Sequence, residues 1–438
     1  MKYISTFFLL CIPALAVFAQ KSLLQSGPML GYTHMAEAML WVQTKSAAEV
    51  QFVYWEKEMP SEKRHTGVYQ TNKKEGFTAH LVADQVEPGK HYEYQLLINK
   101  QPIKFDYPTT FQTLPLWQWR TDPPPFKMAI GSCFYVNETK YDRPGKPYGG
   151  DYRIFKAIHE QRPDAMLWLG DNTYLREVDF YSRTGYVHRY THTRSLPELQ
   201  PLLASTHHYA IWDDHDYGPN DSDRSSVYKD MSKEVFQQFW ANPTYGLPGK
   251  EGITTFFQWA DMDFFLLDNR TFRKPNDRIT GKQVLLGSDQ MEWLVDALVA
   301  SHAPFKFVAM GGQFLNPNAK FERYSKLCPE ERSYLLRRIE EEGIKNVVFL
   351  TGDVHHSEMS KLVLGNGSTV YDLTVSPFTS GVYKADGGNP LLEEGTVVNE
   401  RNFGILEFSG PREERVMTIR IFNSDGEEKW TKEIVAED

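Results

Sequence analysis

Five apolar runs, each breaking into glycine or a polar cluster, constrain this chain more than any other feature. They are "KMAIGSC", "AMLWLGD", "HYAIWDDHD", "FKFVAMGGQ" and "NVVFLTGDVH". A continuous apolar run bounded by turn signals reads as a strand buried on both faces. Helical patterns lie between them: "DYRIFKAIHEQ", "SDQMEWLVDALVAS", with Ser288 as the expected N-cap, and "PEERSYLLRRIEEEG". Strands alternating with helices predict a layered α/β domain from residue 126 to 438. "ITTFFQWADMDFFLLDNR" reads as a hairpin, and the last segments, "FGILEFSG" and "RVMTIRIFNSDGEEKWTKEIV", read as further strands. The sheet system is therefore expected to be mixed.

Before that domain, residues 24–115 alternate with period two. "AEAMLWVQT", "AEVQFVYW", "FTAHLVADQ" and "HYEYQLLINK" predict a small β-sandwich. Residues 116–125, ending in Pro123-Pro124-Pro125, read as a stiff linker. Residues 1–19 carry one basic residue, Lys2, an apolar core and small residues at Val17 and Ala19. This is the pattern of a cleaved signal peptide, so export to the periplasm or the cell exterior is expected. Nothing later is apolar enough to predict a membrane span.

The net charge of −9 gives no basic stripe, which argues against nucleic-acid binding. It leaves an anionic substrate open, because a bound metal supplies positive charge that a side-chain count misses. Beyond Cys11 in the leader, only Cys133 and Cys328 remain. In an oxidising compartment they could pair, but Cys133 ends a strand whereas Cys328 lies in a charged helical segment, which favours a ligand role for Cys133. The other strand tips add Asp171, the cluster Asp213-Asp214-His215-Asp216, Gln313, and Asp353 with His355. Singly, each is an ordinary cap or turn residue. Together at one sheet edge, Cys, Asp, Tyr174 and His make a metal-site composition.

"GSC", "GDNTY", "WDDHD" and "GDVH" together resemble the PhoD-type branch of the calcineurin-like binuclear metallophosphatases, whose active site is similar to that of purple acid phosphatases. "FFLLDNRTFR" and "QMEWLVDAL" resemble family segments away from the metals. The resemblance implies an αββα mixed-sheet sandwich preceded by a fibronectin-like β-sandwich. It further implies that Asp171 bridges two metals and that Cys133, Tyr174 and His355 complete a first site. Asp171, Asp214 and Asp353 would form a second. Thiolate and phenolate donors favour Fe³⁺ at the first and carboxylates favour Ca²⁺ at the second, with Zn²⁺ or Mn²⁺ as alternatives. Two departures from the wider superfamily, "DDH" for GNH and "GDVH" for GHxH, both shift the second site from nitrogen or amide towards carboxylate. The superfamily's isolated histidine ligand has no clear match; Gln313 is the residue nearest its expected place. There is also no twin arginine in the leader, so metals would be acquired after export.

The implied activity is hydrolysis of a small phosphate ester by a metal-activated hydroxide. His215 is the candidate to bind phosphate or protonate the leaving oxygen. Arg270 could clamp a phosphate oxygen, or pair structurally with Asp268 or Asp277. Asn220 and Asp221 could shape their loop or touch substrate or metal. A dedicated phosphodiesterase or nucleotide-directed hydrolase, and a surface-binding protein with structural metals, stand as alternatives. The oligomeric state is not legible.

Overall fold

The computed structural model describes residues 23–318, 320–385 and 387–437. The proposed signal peptide lies outside the described residues. Two sheets stack face to face between outer helices. The first has nine strands in the order Glu428–Val435, Val416–Asn423, Asn402–Ser409, Phe126–Gly131, Ala165–Leu169, His207–Ile211, Leu24–Thr33, Ala38–Thr44 and Thr78–Ala83. The second has six: Thr255–Trp259, Met262–Leu266, Lys306–Ala309, Val347–Thr351, Thr369–Thr374 and Glu358–Val363. Both mix parallel and antiparallel pairs, as the sequence predicts. The expected hairpin pairs Thr255 with Leu266 and Trp259 with Met262.

Alternating residues of the two inner faces fill the space between the sheets. Ile130, Leu167 and Tyr209 from one meet Phe264, Phe307 and Val348 from the other. Tyr209 stacks across the gap on Phe257 at 3.7 Å, and the run continues along the second sheet, Phe257 on Phe264 at 4.6 Å and Phe264 on Phe307 at 4.8 Å. Truncating one such buried ring to alanine costs about 3–5 kcal/mol. Helices Ile154–Glu160, Arg183–Arg194 and Lys229–Phe239 cover the outer face of the first sheet, and Ser288–Ala300 and Pro329–Glu341 that of the second. This is the αββα layering. Ser288 is the first helical residue rather than the N-cap. Gly287 takes the cap position at φ 79°, which a side chain disfavours, and its carbonyl accepts from Met291 N–H at 3.1 Å.

The N-terminal strands do form a small sandwich, with a core of Leu40, Phe52, Leu81, Tyr92 and Leu96. It is not hung on the linker alone. Leu24–Thr33 pairs in parallel with His207–Ile211, at Leu30 and His207, so one layer of the sandwich continues the nine-stranded sheet. The linker is tied down too: the carbonyls of Pro123 and Pro124 accept from Arg415, and Asp122 accepts from the Arg412 N–H. Together these anchors hold the strand tips against a broad scaffold.

Candidate metal centre

The apolar run Ala165–Leu169 is buried along its whole length, between parallel neighbours on both sides. Gly170 ends it at φ 91°, and a Cβ there would lie 2.7 Å from Cβ of Asp213. Glycine lets two adjacent strand tips abut, which is why the strand stops where it does. Gly311 does the same from the second sheet: its missing Cβ would fall 2.3 Å from Oδ2 of Asp213. The five tips thus converge on one edge. Cys133, Asp171, Asp353 and His355 all adopt left-handed backbone, with φ of 62°, 51°, 69° and 60°. Such conformations are uncommon outside glycine and cluster at functional sites.

Two overlapping donor groups result, each with its ligand atoms within 4.8 Å of one another: Cys133, Asp171 and His355, and Asp171, Asp214 and His215. Asp171 belongs to both. Its Oδ2 is 3.7 Å from Sγ of Cys133, and its Oδ1 accepts from the His215 N–H at 3.3 Å. Tyr174 joins the first group, its hydroxyl 3.2 Å from Nε2 of His355. Its ring also packs on His215 with centroids 4.2 Å apart. Asp353 lies outside the tight groups but within electrostatic reach of Asp171, Asp213, Asp214 and Glu322.

Charge in this cluster is badly unbalanced without a cation. Burial and then the neighbouring carboxylates Asp214 and Asp213 push Asp171 well above the usual carboxylate range. Burial, Glu322 and Asp213 do the same to Asp353, and burial with Asp171 and Asp353 raises the Cys133 thiol. Asp214 also feels burial, but His215 and Arg270 more than offset it and lower its pKa. Oδ2 of Asp213 is buried with no hydrogen-bond partner among the described residues. Anionic donors held together, with one orphaned, fit bound metal ions, which reverse the sign of these mutual effects. Bound there, two metals would lower the pKa of a coordinated water and draw charge from phosphoryl oxygens.

Other expected residues fall elsewhere. Arg270 is fully buried, and its guanidinium pairs with Asp213 and Glu322, and at 3.6 Å with Asp214. The expected partners, Asp268 and Asp277, are not the guanidinium's. From Arg270, Asp268 accepts only the backbone N–H, at 2.9 Å, and it also accepts from Trp212 Nε1. Gln313 is outside the donor groups, its amide used at both ends: Nε2 donates to Glu358 at 2.8 Å, and Oε1 accepts from Arg323 at 2.7 Å. Asn220 is exposed, whereas the neighbouring Asp221 N–H donates to Asp214 at 2.8 Å. Both remaining cysteines are free and buried.

Two residues to which the sequence assigns no role are central. Asp213, Asp214 and Glu322 form a third close group of carboxylates, and Arg270 and Arg273 overcome burial to hold Glu322 ionised. Asp213 belongs to the polar strand-tip cluster read in the sequence, where nothing distinguishes its role from that of its neighbours. Glu322 lies in a loop with no motif, and only the fold brings it in.

Comparison with known proteins follows the same outline. The profile of the PhoD-like phosphatases matches residues 128–405, and that of a domain of unknown function, DUF7800, matches 21–115. Alkaline phosphatase D of Bacillus subtilis (strain 168) is 24% identical over 367 residues, covering 71% of this chain and 59% of the relative. The chain therefore spans less than two thirds of that relative's length. A solved structure of PhoD superposes with a TM-score of 0.76 at 18% identity, covering 95% of this chain and 93% of the other. A purple acid phosphatase from yellow lupin (Lupinus luteus) superposes with 0.64 at 12% identity, covering 93% and 74%. These likenesses establish the shared fold.

Proposed function

This chain belongs to the PhoD-like phosphatase family, and on that premise we propose that it is an exported metal-dependent hydrolase of small phosphate monoesters, diesters or both. One observation carries the reading: Asp171, at the end of one strand, is shared by two donor groups drawn from several strand tips. The donors favour Fe³⁺ with Cys133, Asp171, Tyr174 and His355, and Ca²⁺ with Asp171, Asp214 and Asp353.

The His215 side chain is partly exposed, at 22%, whereas Cys133, Asp171, Tyr174, Asp214 and His355 are buried. Burial lowers its pKa and Arg270 adds to this, while Asp214 opposes. The resting imidazole is therefore neutral near pH 7. An arriving phosphate ester adds negative charge beside it and raises its proton affinity, so the ring can take up a proton and pass it to the leaving oxygen. Tyr174, packed on the imidazole at a 33° tilt, keeps it at the mouth of the cluster. Arg270 is better suited to charge balance than to phosphate clamping, because reaching substrate would break its ion pairs with Asp213 and Glu322.

The test is metal content and visible absorption of protein purified without chelator, followed by initial rates on monoester and diester model substrates. Iron with a broad charge-transfer band, plus calcium and hydrolysis, is expected. Full metal content with no hydrolysis of either ester class would overturn the proposal.

A further inference from the structure

We infer that Tyr148 is the positioning residue that keeps the proton of His355 on Nδ1 and so leaves Nε2 free to ligate in the metal cluster. The inference rests on the metal-centre reading above and assigns a role to a residue outside every motif.

The two ring nitrogens of His355 have different surroundings. Nε2 faces inward, 3.2 Å from the Tyr174 hydroxyl and 3.3 Å from Ser380 Oγ. Nδ1 lies 3.2 Å from the hydroxyl of Tyr148, which is itself 3.3 Å from the hydroxyl of Tyr383. The ring of Tyr383 lies parallel to the imidazole, 5.0 Å away and 4° from coplanar orientation. Tyr383 is 56% exposed, so this pair forms the outer wall of the first donor group.

The fold builds this contact in detail. A Cβ on Gly381 would come within 2.7 Å of the Tyr148 ring, so glycine is what lets that ring lie against the loop. The Gly150 N–H donates to the Thr379 carbonyl at 2.7 Å, and Gly149 exchanges hydrogen bonds with Asn137 at 2.9 and 3.0 Å. The Tyr383 N–H closes the other side on the His355 carbonyl at 3.1 Å. Tyr148 is thereby held between two pinned segments.

An imidazole that ligates through Nε2 must carry its proton on Nδ1, and that proton needs an acceptor. The Tyr148 oxygen accepts it and passes its own O–H to Tyr383. The reverse arrangement, with Tyr148 donating to Nδ1, would leave the proton on Nε2 and block ligation. Partners of this kind fix ring orientation and raise ligand basicity. The Gly381 backbone also faces the ring and is the competing orienter.

Tyr148→Phe in the full chain removes only the hydroxyl. In metal-free wild-type protein, ¹⁵N-histidine spectra, assigned with His355→Gln, are expected to show His355 as the Nδ1–H tautomer. The Phe variant should show a mixture and lose the first-site metal to a chelator roughly 10–100-fold more readily. Tyr383→Phe leaves the Tyr148 oxygen in place but removes the acceptor of its O–H, so it should shift both readouts in the same direction by less. An Nε2–H tautomer in the wild type overturns the assignment whether or not the variant folds. An unchanged tautomer and unchanged metal retention in Tyr148→Phe would transfer the role to the Gly381 carbonyl. Equal losses in both variants would mean loop packing. None of these readouts involves hydrolysis, so a metal-loaded protein that cleaves no phosphate ester leaves the result standing.

Discussion

The backbone N–H of His215 donates to Oδ1 of Asp171 across 3.3 Å, while Oδ2 of the same carboxylate lies 3.7 Å from the Cys133 sulfur. One side chain therefore ties three strand tips together and touches both donor groups. Asp171→Asn preserves the shape and can still accept the His215 N–H, but it removes the shared negative charge. The expected outcome is loss of both metals, by more than the ~10–100-fold typical of outer-shell changes, with an intact fold. In chelated protein the variant should melt no lower than wild type near neutral pH. Burial and neighbouring acids raise the Asp171 pKa, so its ionised form is a net cost to the metal-free fold. Metal analysis beside thermal melts checks both halves, and full metal content in the variant would remove Asp171 from the centre.

His215 should separate metal binding from turnover. It stands at the mouth of the cluster, 3.9 Å from Asp214 and packed on Tyr174. His215→Ala is expected to keep both metals and lose ~10²–10⁴-fold in kcat, most severely for esters with poor leaving groups. Rates across leaving groups of graded pKa test this. A loss of equal size across the series would leave phosphate binding as the role and discard proton transfer.

The strand tips were legible in the sequence because burial on both faces demands a continuous apolar run, and chemistry at the tip demands an abrupt polar end. Cys133, Asp171, Tyr174, Asp214 and His355 were reachable that way, helped by a family resemblance. Glu322 was not, since it reaches Arg270 and Arg273 from an irregular loop and nothing local marks it. The partners of Arg270 were misjudged for a related reason. Asp268 is its near neighbour in sequence, yet its Oδ1 is occupied by backbone N–H groups and Trp212, so the guanidinium turns across the sheets to Asp213. The edge-to-edge join at Leu30 and His207 was also invisible, because alternation reveals a strand but not its partner. Ser288 missed the cap by one residue, within the ordinary ambiguity of helix ends.

Gly170→Ala tests whether the abutting tips matter. The substitution meets two obstacles at once: φ of 91° and a Cβ 2.7 Å from that of Asp213. Left-handed backbone and overpacking together should destabilise the fold by about 2–4 kcal/mol. Because relief requires the Asp171 and Asp213 tips to part, metal retention should fall as well. Denaturant midpoints and metal content after dialysis measure the two effects. Destabilisation with unchanged metal affinity would mean that the tips can separate without disturbing the donors.

Acid should loosen the joint between the N-terminal sandwich and the α/β domain. His207 Nδ1 faces the Gly31 carbonyl at 2.8 Å, and its Nε2 accepts from the Gln112 N–H at 3.4 Å. His208 has the same division, accepting Trp168 Nε1–H at 3.0 Å and facing the Leu202 carbonyl at 3.3 Å. Each ring uses one nitrogen as donor and the other as acceptor, so each must be neutral; a second proton on His207 would confront the Gln112 N–H. Burial lowers His207 from 6.5 to about 4 and His208 to about 3. The unfolded chain takes up these protons near pH 6.5 and the native state does not. Stability from this source is therefore complete above about pH 6.5 and falls as pH drops towards 4, by about 3 kcal/mol for His207 alone. The raised carboxyls of the metal-free centre act in the opposite direction, so the comparison must be between proteins that share them. Chelated wild type and His207→Gln, unfolded in denaturant from pH 7.5 to 4.5, provide it. The variant's stability should decline with a slope smaller by close to one proton between pH 6 and 4.5. A gap between the two that stays constant with pH would mean that His207 is not held neutral.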